Sequence, residues 1–187
     1  MIRPPPAVLA ALNDAEMLVD NRSLMKAVDQ AAVRLAVLLH DENPLLLTVL
    51  NGALPFTAAL LKRLHFPLEY ACVQVSRYGS ATTGGELQWH YRPSLNLVDR
   101  HVVVIDDVLD QGLTLAAIRD WALAAGAARV TLAVLVDKKV AAERPVEADV
   151  AALVCPDRYL FGFGMDFQGY WRNLPAIYAL KAADSED

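Results

Sequence analysis

The chain has 187 residues, 55% of them hydrophobic, and its 17 basic and 22 acidic side chains give a formal charge of −5. That length carries one domain with a sizeable core and is too short for two, and the acidic balance without a basic run excludes a nucleic-acid footprint. No uninterrupted apolar stretch is long enough to span a bilayer, while a mean hydropathy of +0.28 predicts apolar surface covered by further copies, in a homodimer or homotetramer.

Strand and helix patterns alternate along the chain, the mark of an α/β fold with a largely parallel sheet. After a Pro-rich lead, Ser23 is the expected cap of a helix running to about His40. On it Leu24, Ala27, Val28, Ala31, Leu35 and Leu38 recur at helical spacing as a core stripe. Leu45 to Leu50 is a short apolar strand, residues 51–53 a turn, and Pro55 to Leu64 a helix with proline near its first turn. Leu68 to Val75 is the next strand. From Ser76 to Asp99 apolar periodicity is lost and Gly79, Gly84 and Gly85 gather, which predicts a long loop or loose hairpin of the kind that serves as a lid. A further apolar strand ends near Leu109, followed by a helix to about Ala125, a terminating Gly126 and a strand from Arg129 to Val136. Val150 to Val154 is a further strand, and an aromatic tail surrounds Tyr159, Phe161 and Phe163.

Cys72 and Cys155 stand apart in strand-like segments, without Cys-x-x-Cys spacing, and residues 1–6 do not read as a secretory leader. Core thiols in a reducing cytoplasm are expected. His40, His65, His90 and His101 are scattered without ligand spacing, so no zinc site is expected. There is no Gly-x-x-x-x-Gly-Lys-Ser/Thr loop, and the segment from Gly162 to Phe167 fails the dinucleotide fingerprint at its third glycine.

The most informative stretch is Val102-Val103-Val104-Ile105-Asp106-Asp107-Val108-Leu109-Asp110-Gln111-Gly112-Leu113-Thr114. An apolar run fits a strand covered on both faces, and ligands of such sheets sit beyond the carboxyl ends of the strands. Gly112 permits a tight turn, so the N–H groups of residues 110–114 can converge on an anion at the start of the following helix, with the Thr114 hydroxyl as a further donor. A phosphomonoester suits that cradle. Asp106 and Asp107 suit vicinal hydroxyls or a hard cation, which places a sugar beside the phosphate.

This stretch resembles the phosphoribosyl diphosphate (PRPP) signature of the type I phosphoribosyltransferases, where two acidic residues precede an Asp-x-Gly-x-Thr loop. A response-regulator pocket also pairs aspartates, but near the start of its chain. From about Ala15 to Pro175 the sequence is similar to the hypoxanthine-guanine phosphoribosyltransferases. The resemblance implies one phosphoribosyltransferase domain over residues 1–187. Its central sheet would be mainly parallel and flanked by helices, its hood drawn from N-terminal residues and about 155–187, and its flexible loop from about 76–99.

The same resemblance assigns roles. Asn51-Gly52 falls at the pyrophosphate-binding loop, with Asn51 in place of the family's lysine, and Arg172 also meets pyrophosphate. Asp106 and Asp107 bind ribose; Asp110, Gln111, Gly112, Leu113 and Thr114 bind the 5-phosphate, Leu113 replacing a lysine found in some relatives. Arg77-Tyr78 stands where the lid carries Ser-Tyr. Lys138 bonds the purine 6-oxo group, Tyr159 stacks on the ring, and the Leu160 and Asp166 backbones pair with its edge. The Asp166 carboxylate helps hold Mg²⁺, with Asp106 and Asp107 as further candidates. Asp110 exchanges the N7 proton.

The implied reaction is purine salvage: PRPP with hypoxanthine or guanine gives IMP or GMP and pyrophosphate. Other members of the fold are PRPP-sensing regulators without catalysis, and others use xanthine, adenine or orotate. The absence of a basic stripe disfavours a nucleic-acid-binding regulator, and Lys138 with the Tyr159 hood favours an oxopurine.

Overall fold

The computed structural model describes residues 3–77 and 87–181. Its elements in chain order are α1 (Pro6–Asn13), β1 (Ala15–Val19), α2 (Asn21–Leu39), β2 (Leu45–Leu50), α3 (Leu54–Leu61), β3 (Glu69–Arg77), β4 (Leu87–Tyr91) and β5 (His101–Leu109). They continue with α4 (Leu113–Ala124), β6 (Arg129–Lys139), β7 (Val150–Pro156), β8 (Leu160–Phe161) and β9 (Ile177–Leu180).

The main sheet has the order β4-β3-β2-β5-β6-β7. Its pairs are parallel except β3 with β4, so the fold is α/β with a mainly parallel sheet, as the alternating pattern predicts. Side chains of successive strand residues point to opposite faces, and the buried strands use both. Val103 and Ile105 of β5, Leu46 of β2 and Leu135 of β6 pack with α2 and α3. Val102 and Val104, Leu45 and Leu47, and Leu132 and Val134 pack with α4 on the other face. Leu115, Ile118 and Ala122 of α4 meet them at helical spacing.

This order sets the position of a site. From β2 the chain passes through α3 to β3 on one side, and from β5 through α4 to β6 on the other. The connections diverge between β2 and β5, and a crevice opens beyond the carboxyl ends of strands at such a switch point. Residues 51–52 and 110–114 lie on its two lips. A separate three-stranded sheet, β1-β9-β8, gathers residues from both ends of the chain.

Several boundaries differ from the sequence expectations. The cap of α2 is Asp20, whose Oδ1 accepts the Ser23 N–H at 2.7 Å; Ser23 already lies inside the helix. The Pro-rich lead contains α1, and the following segment pairs as β1 with distant β9, a tertiary partner that local pattern does not reveal. The helix expected over residues 55–64 spans Leu54–Leu61. In the expected loop over residues 76–99, β3 continues to Arg77 and β4 returns antiparallel to it. Trp89 of β4 sits 5.4 Å from Trp121 of α4 between ring centroids, at an interplanar angle of 55°, and the Arg92 guanidinium lies 3.8 Å from the Trp89 ring centroid. Tyr78 and the expected lid tip, residues 78–86, fall outside the described residues, as does the side chain of Arg77.

Candidate active site

Two adjoining cavities occupy the crevice, one of about 470 Å³ and one of about 170 Å³. Asp107, Val108, Asp110 and Asp166 line both. The larger is built from residues 49–52, the end of β5, the turn into α4 and Arg172. Lys138, Arg158, Tyr159, Leu160 and Met165 complete the smaller.

The turn into α4 has the geometry of an anion cradle. Gly112, at φ +77°, is the helix N-cap, and no side chain caps the helix. The left-handed conformation suits glycine, and the first turn, whose N–H groups a helix leaves without internal partners, borders the cavity at the positive end of the helix dipole. Leu113, Thr114 and Leu115 line that wall. Asp110 and Gln111 are exposed at its rim.

Opposite lies the turn after β2, where the Leu50–Asn51 peptide is cis. A Cβ on Gly52 would stand 1.8 Å from Asp107 Oδ2 and 2.4 Å from its Cγ, so glycine lets this backbone lie directly against a carboxylate. Gly164, at φ +105°, repeats the device: a Cβ there would stand 1.9 Å from the Gly52 carbonyl oxygen. Residue 164, residue 52 and Asp107 form a close stack across three segments. Gly52→Ala is expected to displace either the turn or Asp107 and to lower kcat/KM on the order of 10²-fold, as a misplacement near 1 Å does. Steady-state kinetics with a circular-dichroism check of folding measure it; an unchanged kcat/KM would show that the turn has room to move.

Asp106 and Asp107 behave differently although adjacent. Asp106 is buried, 8% exposed, and its Oδ1 accepts the Asp107 N–H at 2.9 Å. Burial pushes its carboxyl well above the usual carboxylate range, and the charge of Asp107 pushes the same way. Asp107 accepts the Val108 N–H at 2.9 Å. Burial raises it too, while the bond with Asp106 and the charge of Arg172 oppose that rise. Sequence alone treats both as ordinary ionised acceptors; burial pushes both carboxyls upward, Asp106 well above the usual range.

Arg172 is placed by the loop between β8 and β9. Its Nη1 donates to the Gly164 carbonyl at 2.7 Å and its Nη2 lies 2.6 Å from Asp166 Oδ1. The other Asp166 oxygen accepts the Gly169 N–H at 2.7 Å. Among the described residues no group of three His, Cys, Asp or Glu side chains is set to hold a metal ion. A cation here would draw on one or two carboxylates and on phosphate oxygens of a ligand, the usual manner of Mg²⁺ with phosphorylated substrates. The carboxylates of Asp166 and Asp107 on the larger cavity suit that chemistry.

Strand register brings Lys138 to Asp110. Leu109 of β5 is paired with Asp137 of β6, so the next residues meet where β5 ends, and Lys138 is in turn paired with Cys155 of β7. Lys138 Nζ lies 3.0 Å from Asp110 Oδ2 and 2.9 Å from Asp157 Oδ1. Burial alone would lower its pKa; the bonds and charges of Asp157 and Asp110 outweigh that, and it is raised. The ammonium therefore keeps its charge beyond the ordinary lysine range. Arg144, whose Nη1 donates to Asp137 Oδ1 at 2.6 Å and to the Leu109 carbonyl at 3.3 Å, ties the ends of β5 and β6 together. Neither Asp157 nor Arg144 carries a spacing signal: both reach the site only through sheet register.

Tyr159 forms one wall of the smaller cavity. Its hydroxyl donates to the Asp166 carbonyl at 3.1 Å and its ring meets Phe167 edge-on, 5.7 Å between centroids. Burial raises its phenol pKa, as does the nearby charge of Asp166. With half its surface exposed, this anchored ring can stack on a flat ligand. Leu160 is buried beside it, its strand paired with β9.

An anion cradle beside buried carboxylates suits a phosphorylated sugar, and the adjoining chamber suits a flat ring with an acceptor toward Lys138: together they are the features of an α/β protein that handles a nucleotide or its precursors. A family model described as phosphoribosyl transferase domain matches residues 14–168. The chain is 31% identical to the hypoxanthine-guanine phosphoribosyltransferase of Bacillus subtilis over 90% of this chain and 94% of that one. It is 30% identical to the protein of the same name from Streptococcus pneumoniae, over 89% and 93%. A solved hypoxanthine phosphoribosyltransferase from Staphylococcus aureus superposes with a TM-score of 0.86 at 25% identity, over 92% of this chain and 95% of that one. The chain belongs to the phosphoribosyl transferase domain family, in its hypoxanthine-guanine branch.

Proposed function

We propose that this protein is a purine-salvage enzyme that transfers the 5-phosphoribosyl group of PRPP to hypoxanthine or guanine, giving IMP or GMP and pyrophosphate. The observation that carries the reading is the meeting of phosphate cradle and base chamber at one residue: Asp110 lies in the phosphate loop and within 3.0 Å of Lys138. A group placed there can serve the base and the phosphoribosyl unit in the same event.

In the reaction the bond from ribose C1 to diphosphate breaks as a bond to a purine nitrogen forms. Positive charge grows on the sugar and negative charge on the leaving group. The α4 N-terminus and residues 110–114 hold the 5-phosphate, and Asp107, with Asp106 below it, fixes the ribose hydroxyls. The amides at Asn51-Gly52 and the Arg172 guanidinium meet the leaving diphosphate. Tyr159 stacks on the base, the Leu160 and Asp166 backbones meet its edge, Lys138 donates to the 6-oxo group, and Asp110 exchanges the N7 proton. Asp166, with Asp107, would hold Mg²⁺, which would supply charge neutralisation for the leaving group. The working form is a cytoplasmic homodimer or homotetramer; no helix among the described residues is long and apolar enough to cross a membrane.

The test is pyrophosphate release from PRPP and hypoxanthine, or guanine, with Mg²⁺ and with excess chelator. Release with the metal and its loss on chelation are expected, because the diphosphate brings several negative charges toward Asp107 and Asp166. Undiminished release in chelator would contradict the metal dependence.

A further inference from the structure

We infer that Asp157 is a positioning residue of the base site: it anchors the Lys138 ammonium so that one N–H stays aimed at the base when Asp110 turns to the purine. The inference rests on the proposed oxopurine reaction and names a residue to which the family resemblance gives no part.

The geometry is a three-party contact. Lys138 Nζ lies between Asp157 Oδ1 at 2.9 Å and Asp110 Oδ2 at 3.0 Å. An ammonium has three N–H bonds, and two are taken, which leaves one for the smaller cavity. The lysine side chain is 11% exposed while the two carboxylates are 55% and 50% exposed. This is therefore not a solvated surface pair of small consequence: the cation is the desolvated member, and it needs partners to remain charged where it stands.

The two carboxylates have different futures in the reaction. Asp110 must leave its bond with Lys138, at least in part, to exchange the N7 proton. Asp157 has no such duty. It follows β7, whose Cys155 is paired with Lys138 itself, so it is held to the lysine's own strand pair and stays when Asp110 turns. Without it the ammonium would have one carboxylate and would follow Asp110, and the N–H meant for the 6-oxo group would lose its direction. The charged groups facing this ammonium across the cavity are Asp107, Asp110, Arg158 and Asp166, with the Tyr159 phenol. Arg158 is itself engaged elsewhere, 2.6 Å from Glu16 Oε2 and donating to the Leu180 carbonyl, so it does not compete for Asp157.

Asp157→Ala and Asp157→Asn, with Asp157→Glu as the conservative variant, test this in the full chain. Asp157→Ala should raise KM for hypoxanthine and guanine about tenfold, the loss of a hydrogen bond to a charged group, and leave KM for PRPP unchanged. The alkaline limb of kcat/KM for the base should move to lower pH in Asp157→Ala and Asp157→Asn, because a carboxylate that keeps Lys138 protonated is gone. Asp157→Glu should recover part of both effects. Equal losses toward base and PRPP, or an unmoved base KM and alkaline limb, would overturn the role. Titration of Lys138 by NMR of ¹⁵N-lysine-labelled protein reads the anchoring without catalysis. A downward shift in Asp157→Asn supports it and an unchanged titration overturns it, even if the wild type were to release no pyrophosphate, which would instead overturn the oxopurine transfer.

Discussion

Asp110→Asn should bind PRPP and nucleotide nearly as the wild type does, yet lose turnover by roughly 10²–10⁴, the contribution of a positioned general acid–base group. The amide has the shape of the carboxylate and retains an oxygen that can accept from Lys138 Nζ, 3.0 Å away in the native protein. It cannot take a proton. Gly112 and the α4 N-terminus, which make the cradle, are untouched, so phosphate affinity should persist. Single-turnover kinetics with separate binding titrations measure the split. A collapse of phosphate affinity would show that Asp110 shapes the loop, and near-normal turnover would remove it from the chemistry.

Base selection should depend on Lys138 with comparable force. The ammonium carries donors only, and Asp157 and Asp110 hold it charged beyond the ordinary lysine range. A 6-oxopurine presents an acceptor there; adenine presents an amino group, donor against donor beside a desolvated cation. Discrimination of this kind reaches about 10⁴–10⁵. Lys138→Met should reduce kcat/KM for hypoxanthine and guanine alike, on the order of 10²-fold for a lost charged hydrogen bond, since both share the oxo group. Because the native pKa is raised, Lys138 should keep its charge and go on donating to oxopurines into alkaline pH. Unaltered oxopurine kinetics in Lys138→Met would place the base elsewhere.

The strand-loop-helix around Asp106 to Thr114 was legible in the sequence because each part is local: an apolar run, a pair of acids, a glycine where φ must be positive, a helix start. The same holds for α2, whose apolar stripe has its own period. What depends on distant pairing was not legible. β1 exists through β9, and a strand that short has no local signature. β4 carries the alternation Leu87, Trp89, Tyr91 but stands beside glycines that blur it. The cap of α2 went to Asp20 over Ser23 because an acid three residues earlier fits the same helix start equally well. In the site, the raised Asp106 carboxyl follows from burial on the β5 face, and the placing of Asp157 against Lys138 follows from the β6–β7 register; neither is a property of spacing. Gly52 could be suspected as a turn residue, but its close approach to Asp107 required the neighbouring strand.

The most direct measurement is the product balance over a panel of bases. Purified protein with Mg²⁺ and PRPP is given hypoxanthine, guanine, adenine and orotate in turn, and nucleotide and pyrophosphate are quantified together. Equimolar nucleotide monophosphate and pyrophosphate with hypoxanthine or guanine, and neither with adenine or orotate, is the result expected of Lys138 and Asp110 acting in one pocket. PRPP binding without nucleotide or pyrophosphate from any base, as in a non-catalytic PRPP sensor, or equal use of adenine, would contradict it.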